Sequence, residues 1–205
     1  MAYHQPFQIT GFHSCEREIG LNILNGKYGL KQSENQWDWF GSGVYFWEQN
    51  PSRALEYAVD CADGNQKFNG NIKTPFVIGA IIELGNCLNL LEPNSIVILK
   101  KAYAGLKETI EQSGAKMPKN KGANRALDCS VIQYVHQTNK ALGIEPYDTI
   151  RSAFLEGEEV YPTSHFTDRL HIEICVINTG LIKGYFLPQP IDKHNPYLTC
   201  EYIKK

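Results

Sequence analysis

The stretch "RLHIEICVIN", residues 169 to 178, alternates without a break: Leu170, Ile172, Ile174 and Val176 fall on one side, His171, Glu173 and Cys175 on the other. An extended strand holds such residues on one face, because successive side chains alternate across a sheet, whereas a helix would scatter them round its circumference. The chain must therefore build a sheet with an apolar face against a core. Its other face carries a histidine and a carboxylate. Burying Glu173 unpaired is expensive, so it either meets water on an exposed sheet face or lines a cleft.

The neighbouring segments supply the rest of a fold. "FQITGFH" reads as a strand, being a short apolar and β-branched run ended by polar residues. "CEREIGLNILNG" reads as a helix, with Ser14 as its cap, Glu16 and Glu18 in the positive first turn, Ile19 and Ile23 on one face and Gly26 at the exit. In "NPSRALEYAVDCA" Asn50 caps a helix with Pro51 at its first position, and Ala54, Leu55, Ala58 and Val59 form the buried stripe. "PFVIGAIIELG" is a buried strand. Ile96, Leu99, Tyr103, Leu106 and Ile110 mark one long helix; Leu127, Val131, Val135 and Leu142 mark another, and "AKMPKNKGAN" between them carries three lysines and no acid. "GLIKGYFLP" is a last strand, paired after a short turn with the alternating one. With no run of βαβ units, this order predicts an α+β fold with mainly antiparallel pairing.

The chain, at 205 residues, suits a single domain over 1–205. A net charge of −2 advertises neither nucleic acid nor membrane, and the longest apolar run, "FVIGAIIEL", is far below a membrane span. No basic leader precedes an apolar core in "MAYHQPFQITGF", so a cytoplasmic protein is expected. Six scattered cysteines without CxxC spacing predict reduced thiols, no disulfide framework and no metal site.

Two further residues share the ambiguity of Glu173. In "GSGVYFWE" the glycines Gly41 and Gly43 permit positive φ or close backbone approach, so Tyr45 is either displayed by a turn or belongs to a strand of core aromatics. His13, after a strand and before a helix, fits a structural or a catalytic role.

Taken in order, "GFHS" with "IGLNILNGKYGLKQS", "GSGVYFWE", "PSRALEYA", "AIIELGNCLNL" and "HIEICVINTGLIKGYFL" resemble the catalytic domain of the diphtheria-toxin-like ADP-ribosyltransferases, the group that includes the poly(ADP-ribose) polymerases. The resemblance spans residues 9 to 187 through about five short blocks, of which "GSGVYF" and "IELGNCLNL" are the most specific. It implies two packed, mainly antiparallel sheets around an NAD cleft, with flanking helices and a helical insertion at about 92–150. His13, Tyr45 and Glu173 fall at the family's His, Tyr, Glu triad. The resemblance implies that Glu173 bonds the ribose 2-hydroxyl as an oxocarbenium-like transition state develops. It further implies that Tyr45 and Tyr57 sandwich the nicotinamide, that His13 donates to the adenosine ribose, and that Ser14 clamps the carboxamide with its backbone, helped by its hydroxyl. Gly43, Phe46 and Ser52 complete the cofactor-binding set so implied.

The chain departs from that pattern at three places. Ser14 replaces the glycine that follows the histidine, Ala54 stands where many polymerases have a serine with Ser52 nearby, and His171 stands two before the glutamate where arginine-specific transferases carry Glu or Gln. Modification of arginine is therefore disfavoured. The resemblance implies a mono-ADP-ribosyltransferase acting on a protein, RNA or DNA as a bacterial toxin or phage-defence effector, with an antitoxin as partner. The loop "EGEEVYPTSHFTDR" stands at the family's substrate-recognition loop, which makes Tyr161, His165 and Phe166 acceptor contacts, and basic residues of the helical insertion with Tyr103 and Tyr134 offer a surface for nucleic acid. An NAD glycohydrolase using the same site and a noncatalytic NAD or ADP-ribose binding module are the alternatives.

Overall fold

The structure, a computed structural model, describes residues 8–35, 38–64, 71–122 and 124–198; Cys200 and the first seven residues lie outside them. The first strand, β1 (Gln8–Glu16), runs directly into α1 (Arg17–Leu24). Ser14 is therefore a strand residue and not the expected helix cap; its hydroxyl donates to the Ala54 carbonyl. The N-cap position falls to Glu16, whose carboxylate accepts from the backbone N–H of Lys73 and Thr74 at 2.7 and 2.9 Å. Ile23 is buried, while Ile19 stays exposed.

After β2 (Val44–Glu48), α2 (Pro51–Ala62) starts as its sequence dictates, with the Asn50 side chain accepting from Arg53 N–H at 3.0 Å and Pro51 in the first turn. Its buried residues are Ala54, Ala58 and Cys61 together with Arg53, a charged member of the inward stripe. The chain continues through β3 (Pro75–Glu83), the short β4 (Cys87–Asn89), the helical pair α3 (Pro93–Ser113) and α4 (Ala126–Leu142), then β5 (Thr149–Phe154), β6 (His171–Val176), β7 (Ile182–Phe186) and the single-turn α5 (Ile191–His194). Both long helices end on a left-handed glycine, Gly114 and Gly143.

All seven strands join one hydrogen-bonded sheet in the order β4-β5-β6-β2-β1-β3-β7. Only β4 and β5 are parallel. The expectation of two separate packed sheets is thus not met among the described residues, and the reason is a narrow seam: β1 and β2 are in register only at Gly11↔Glu48 and Phe12↔Trp47. This seam ties β4-β5-β6-β2 to β1-β3-β7. Nor do β6 and β7 form a hairpin, because β7 pairs with β3 at the far edge.

One face of the sheet packs Val44, Phe46, Ile82, Ile174 and Val176 into a core that Leu30 and Tyr185 help to cover. On the other face, α2 covers Phe12, Trp47 and Val77, and the α3–α4 pair covers Ile150, Phe154 and Cys175. The alternation that defines β6 therefore separates two covered faces instead of a core from solvent. Glu173 and Trp47 lie between the two helical covers, in a row that cross-strand pairing fixes as Phe12, Trp47, Glu173, Ser152.

Candidate functional site

Where β1 parts from β2 beyond Phe12, the sheet opens into a cleft with a cavity of about 560 Å3, within the range that takes small ligands and cofactors. His13, Ser14, Gly43, Tyr45, Tyr57 and Glu173 all line it. Residues expected from four separate stretches of the sequence thus meet at one place.

β1 brings His13 to the split. Its Nδ1 lies 2.8 Å from the Tyr45 carbonyl, which only accepts, so Nδ1 carries the proton. Burial lowers the His13 pKa and keeps the ring neutral, with the hydrogen bond to Tyr45 opposing the shift. Nε2 is then an acceptor. The expected donation from His13 to a ribose reverses: a ligand hydroxyl would donate to Nε2. Ladder alternation orients the next residue as well. Gln49 N–H donates to the Thr10 carbonyl at 3.0 Å, so the peptide groups of Thr10, Phe12 and Ser14 point to the side from which β2 departs. Ser14 offers the cleft its backbone, whereas its hydroxyl proton is committed to Ala54.

Tyr45 is held by both ends. Its hydroxyl donates to the Gly41 carbonyl at 2.6 Å and accepts from Phe40 N–H at 3.1 Å, and its ring lies parallel to Phe40 at 6.0 Å. Burial raises its pKa far above the usual phenol range, so the hydroxyl stays protonated. The glycines split the work that the sequence suggested. Gly41 takes a positive φ of 80°, while Gly43 lets β6 approach, since a Cβ there would stand 2.3 Å from Cys175 Sγ. Tyr57 reaches the same cleft from α2 and packs on Trp47 at 5.2 Å.

Glu173 is half-buried, and its Oε1 lies 3.1 Å from His171 Nε2. The His171 side chain is 0% exposed, and its Nδ1 lies 2.6 Å from the Arg169 carbonyl. Both ring nitrogens thus face acceptors, and the arrangement is satisfied when the ring is an imidazolium paired with the Glu173 carboxylate. Burial opposes the charge, but the hydrogen bond and the attraction of Glu173 outweigh it, leaving the His171 pKa raised.

Other cleft residues were not singled out from the sequence. Arg53, 4% exposed, donates from Nη2 to Glu156 Oε2 at 2.9 Å, while its Nε and Nη1 have no hydrogen-bond partner. Trp47 Nε1 is a further buried donor without a partner. Each such donor costs roughly 1–3 kcal/mol, offset for Arg53 Nη1 by the Glu56 carboxylate at 3.8 Å. The signal for Arg53 lay in its spacing, four residues before Tyr57 on one side of α2. The carboxylates of Glu16, Asp38, Glu156 and Glu173 line the same cavity together with the cations Lys31 and Arg53.

Two expected cofactor contacts, Phe46 and Ser52, stand outside the cleft. Phe46 is fully buried on the opposite face, behind His13, so it supports the site without facing it. Ser52 points outward from the first turn of α2. Tyr161, His165 and Phe166, expected as acceptor contacts, are exposed in the segment before β6. Among the described residues no group of three or more His, Cys, Asp or Glu is placed to hold a metal ion, and no helix is long and apolar enough to cross a membrane. The chain matches no protein-family model, no curated protein and no solved structure.

Proposed function

We propose that this protein cleaves NAD at the nicotinamide glycosidic bond and transfers a single ADP-ribose to a macromolecule. The observation that carries the reading is the meeting of His13, Tyr45, Tyr57 and Glu173 in one cleft of about 560 Å3. A carboxylate is the group this bond cleavage requires, because positive charge builds on the ribose as nicotinamide leaves with the bonding electron pair. Glu173 serves there as hydrogen-bond acceptor and counter-charge, positioned by His171. Tyr45 and Tyr57 provide aromatic surface for the departing ring. His13 Nε2 accepts from a ribose hydroxyl, the Ser14 backbone meets the carboxamide, and Arg53 supplies a cation for the diphosphate. An intracellular effector role with a neutralising partner belongs to the same reading.

Radiolabelled NAD added with a cell lysate tests it, comparing wild type with Glu173→Gln and treating parallel samples with protease or nuclease. Label entering macromolecules with wild type alone supports transfer. Free ADP-ribose without labelled macromolecule would make the protein a glycohydrolase, and NAD left intact would end the reading.

A further inference from the structure

A second cavity, of about 420 Å3, lies between the α3–α4 pair and β5 and shares two wall residues, Trp39 and Phe154, with the cleft. Its remaining wall is mostly apolar, including Leu99, Leu127 and Val131, with Asp128, Ser152, Tyr103 and Lys100 as its polar members. The helix on this side is poorly covered: Ala102 is the one fully buried residue of α3, and Tyr103 is 44% exposed. Ser152, which lines this cavity, is the cross-strand partner of Glu173. A group seated here therefore lies against the strand next to that of the carboxylate, on the same face of the sheet, at the edge where Trp39 and Phe154 border both cavities.

Five lysines without acidic partners among the described residues stand on α3 and in the connection that follows it. Lys100 and Lys101 extend from α3, and Lys116, Lys119 and Lys121 follow in the connection to α4; all five are exposed, and none has an ion pair among the described residues. Asp128, the acid in the cavity wall, is neutralised by Arg125 at 2.7 Å, and the Arg125 guanidinium itself stacks 4.3 Å from the Trp39 ring centre. Aromatic and aliphatic walls next to unpaired lysines match a flat base on a phosphate chain, since stacking accepts any base and the lysines track the backbone. An apolar side chain of a protein acceptor would use the walls and leave the lysines without a role.

The geometry points to this second cavity as the acceptor site of the proposed transferase, taking an unpaired base of a single-stranded nucleic acid beside Glu173. The inference rests on the transferase reading for its chemistry. A nitrogen or oxygen of the seated base forms a bond to the ribose carbon as the bond to nicotinamide breaks, and the proton it gives up passes through the Glu173 carboxylate to water. Binding of the strand itself does not depend on that chemistry.

The test separates the two. Fluorescein-labelled single-stranded 12-mers of RNA and of DNA are titrated with wild type and with Tyr103→Ala, reading anisotropy at low and physiological salt without NAD. The expected result is saturable binding that weakens steeply with salt and a loss of about tenfold or more in Tyr103→Ala; Lys101→Ala, outside the cavity wall, flattens the salt dependence. The same oligomers and a protein lysate are then offered with labelled NAD, and the oligomer that takes label tells RNA from DNA. Oligomer binding that Tyr103→Ala weakens, without NAD cleavage, would keep the cavity assignment and remove the transferase reading. NAD cleavage that labels only protein, with no oligomer bound or with Tyr103→Ala binding as well as wild type, would overturn the cavity assignment and keep the transferase.

Discussion

His171→Gln isolates the pair on which Glu173 depends. The glutamine amide keeps a donor near the position of Nε2, loses the positive charge, and cannot also reach the Arg169 carbonyl. In wild type the ring sits 3.1 Å from Glu173 Oε1 with its side chain 0% exposed and that of Glu173 18% exposed. A hydrogen bond to a charged group contributes roughly 1.5–3 kcal/mol, and the residual exposure of Glu173 favours the lower part of that range, about 2 kcal/mol. Because the folded pKa of His171 is raised, this stabilisation is complete below the unfolded histidine value of about 6.5 and is lost as pH climbs through the folded value. Above it, one ring nitrogen loses its proton and faces an acceptor, the Glu173 carboxylate or the Arg169 carbonyl. Urea unfolding at pH 5.5 should find the variant about 2 kcal/mol less stable, or roughly 4–8 °C lower in Tm. At pH 9 the gap should shrink by at least about 1 kcal/mol. Glu156 and Arg169 also bear on this ring and other histidines titrate in the same range, but the wild-type-minus-variant difference cancels what the two proteins share. An equal gap at both pH values would refute the charged pair.

His13 carries the opposite sign. Its lowered pKa means that acid must charge a ring held neutral by burial, so it removes stability as pH falls below about 6.5, and His13→Gln should flatten the acid limb of the unfolding profile. Asn195, 1% exposed, accepts from Val77 N–H at 2.7 Å and donates to the Val77 carbonyl at 3.0 Å, acting as a strand surrogate beyond the end of β7. Asn195→Ala leaves both backbone groups unpaired and should cost about 3 kcal/mol in a denaturant titration. Gly43→Ala should cost about 1–3 kcal/mol, because the new methyl meets Cys175 Sγ at 2.3 Å and the Val176 carbonyl at 3.0 Å.

How far the sequence could be read follows from the range over which each signal acts. Helix starts and strand alternation are local, so α2 with its Asn50 and Pro51 and β6 with its alternation were legible. β5 was missed although "TIRSAF" alternates Ile150, Ser152 and Phe154, because the run is short and follows a long helix. Pairing is nonlocal: nothing in "GLIKGYFLP" tells that β7 crosses to β3, or that seven strands close into one sheet across a seam of two residue pairs. At the site, His13, Tyr45 and Glu173 were legible from motif order, whereas Arg53 and Trp47 become visible only when buried donors without partners are seen beside the cleft. The role of His171 depends on the Arg169 carbonyl, which side-chain chemistry alone cannot place.

The most direct test of the account is nicotinamide release from NAD by wild type and by Glu173→Gln, with NAD affinity measured for both by calorimetry. Glutamine keeps the shape of the side chain and an oxygen for His171 but removes the charge that the proposed reaction uses. The account predicts release by wild type, a fall of at least about 100-fold in the variant, and affinities within a few-fold of each other. Equal rates, or NAD bound by neither protein, would contradict it.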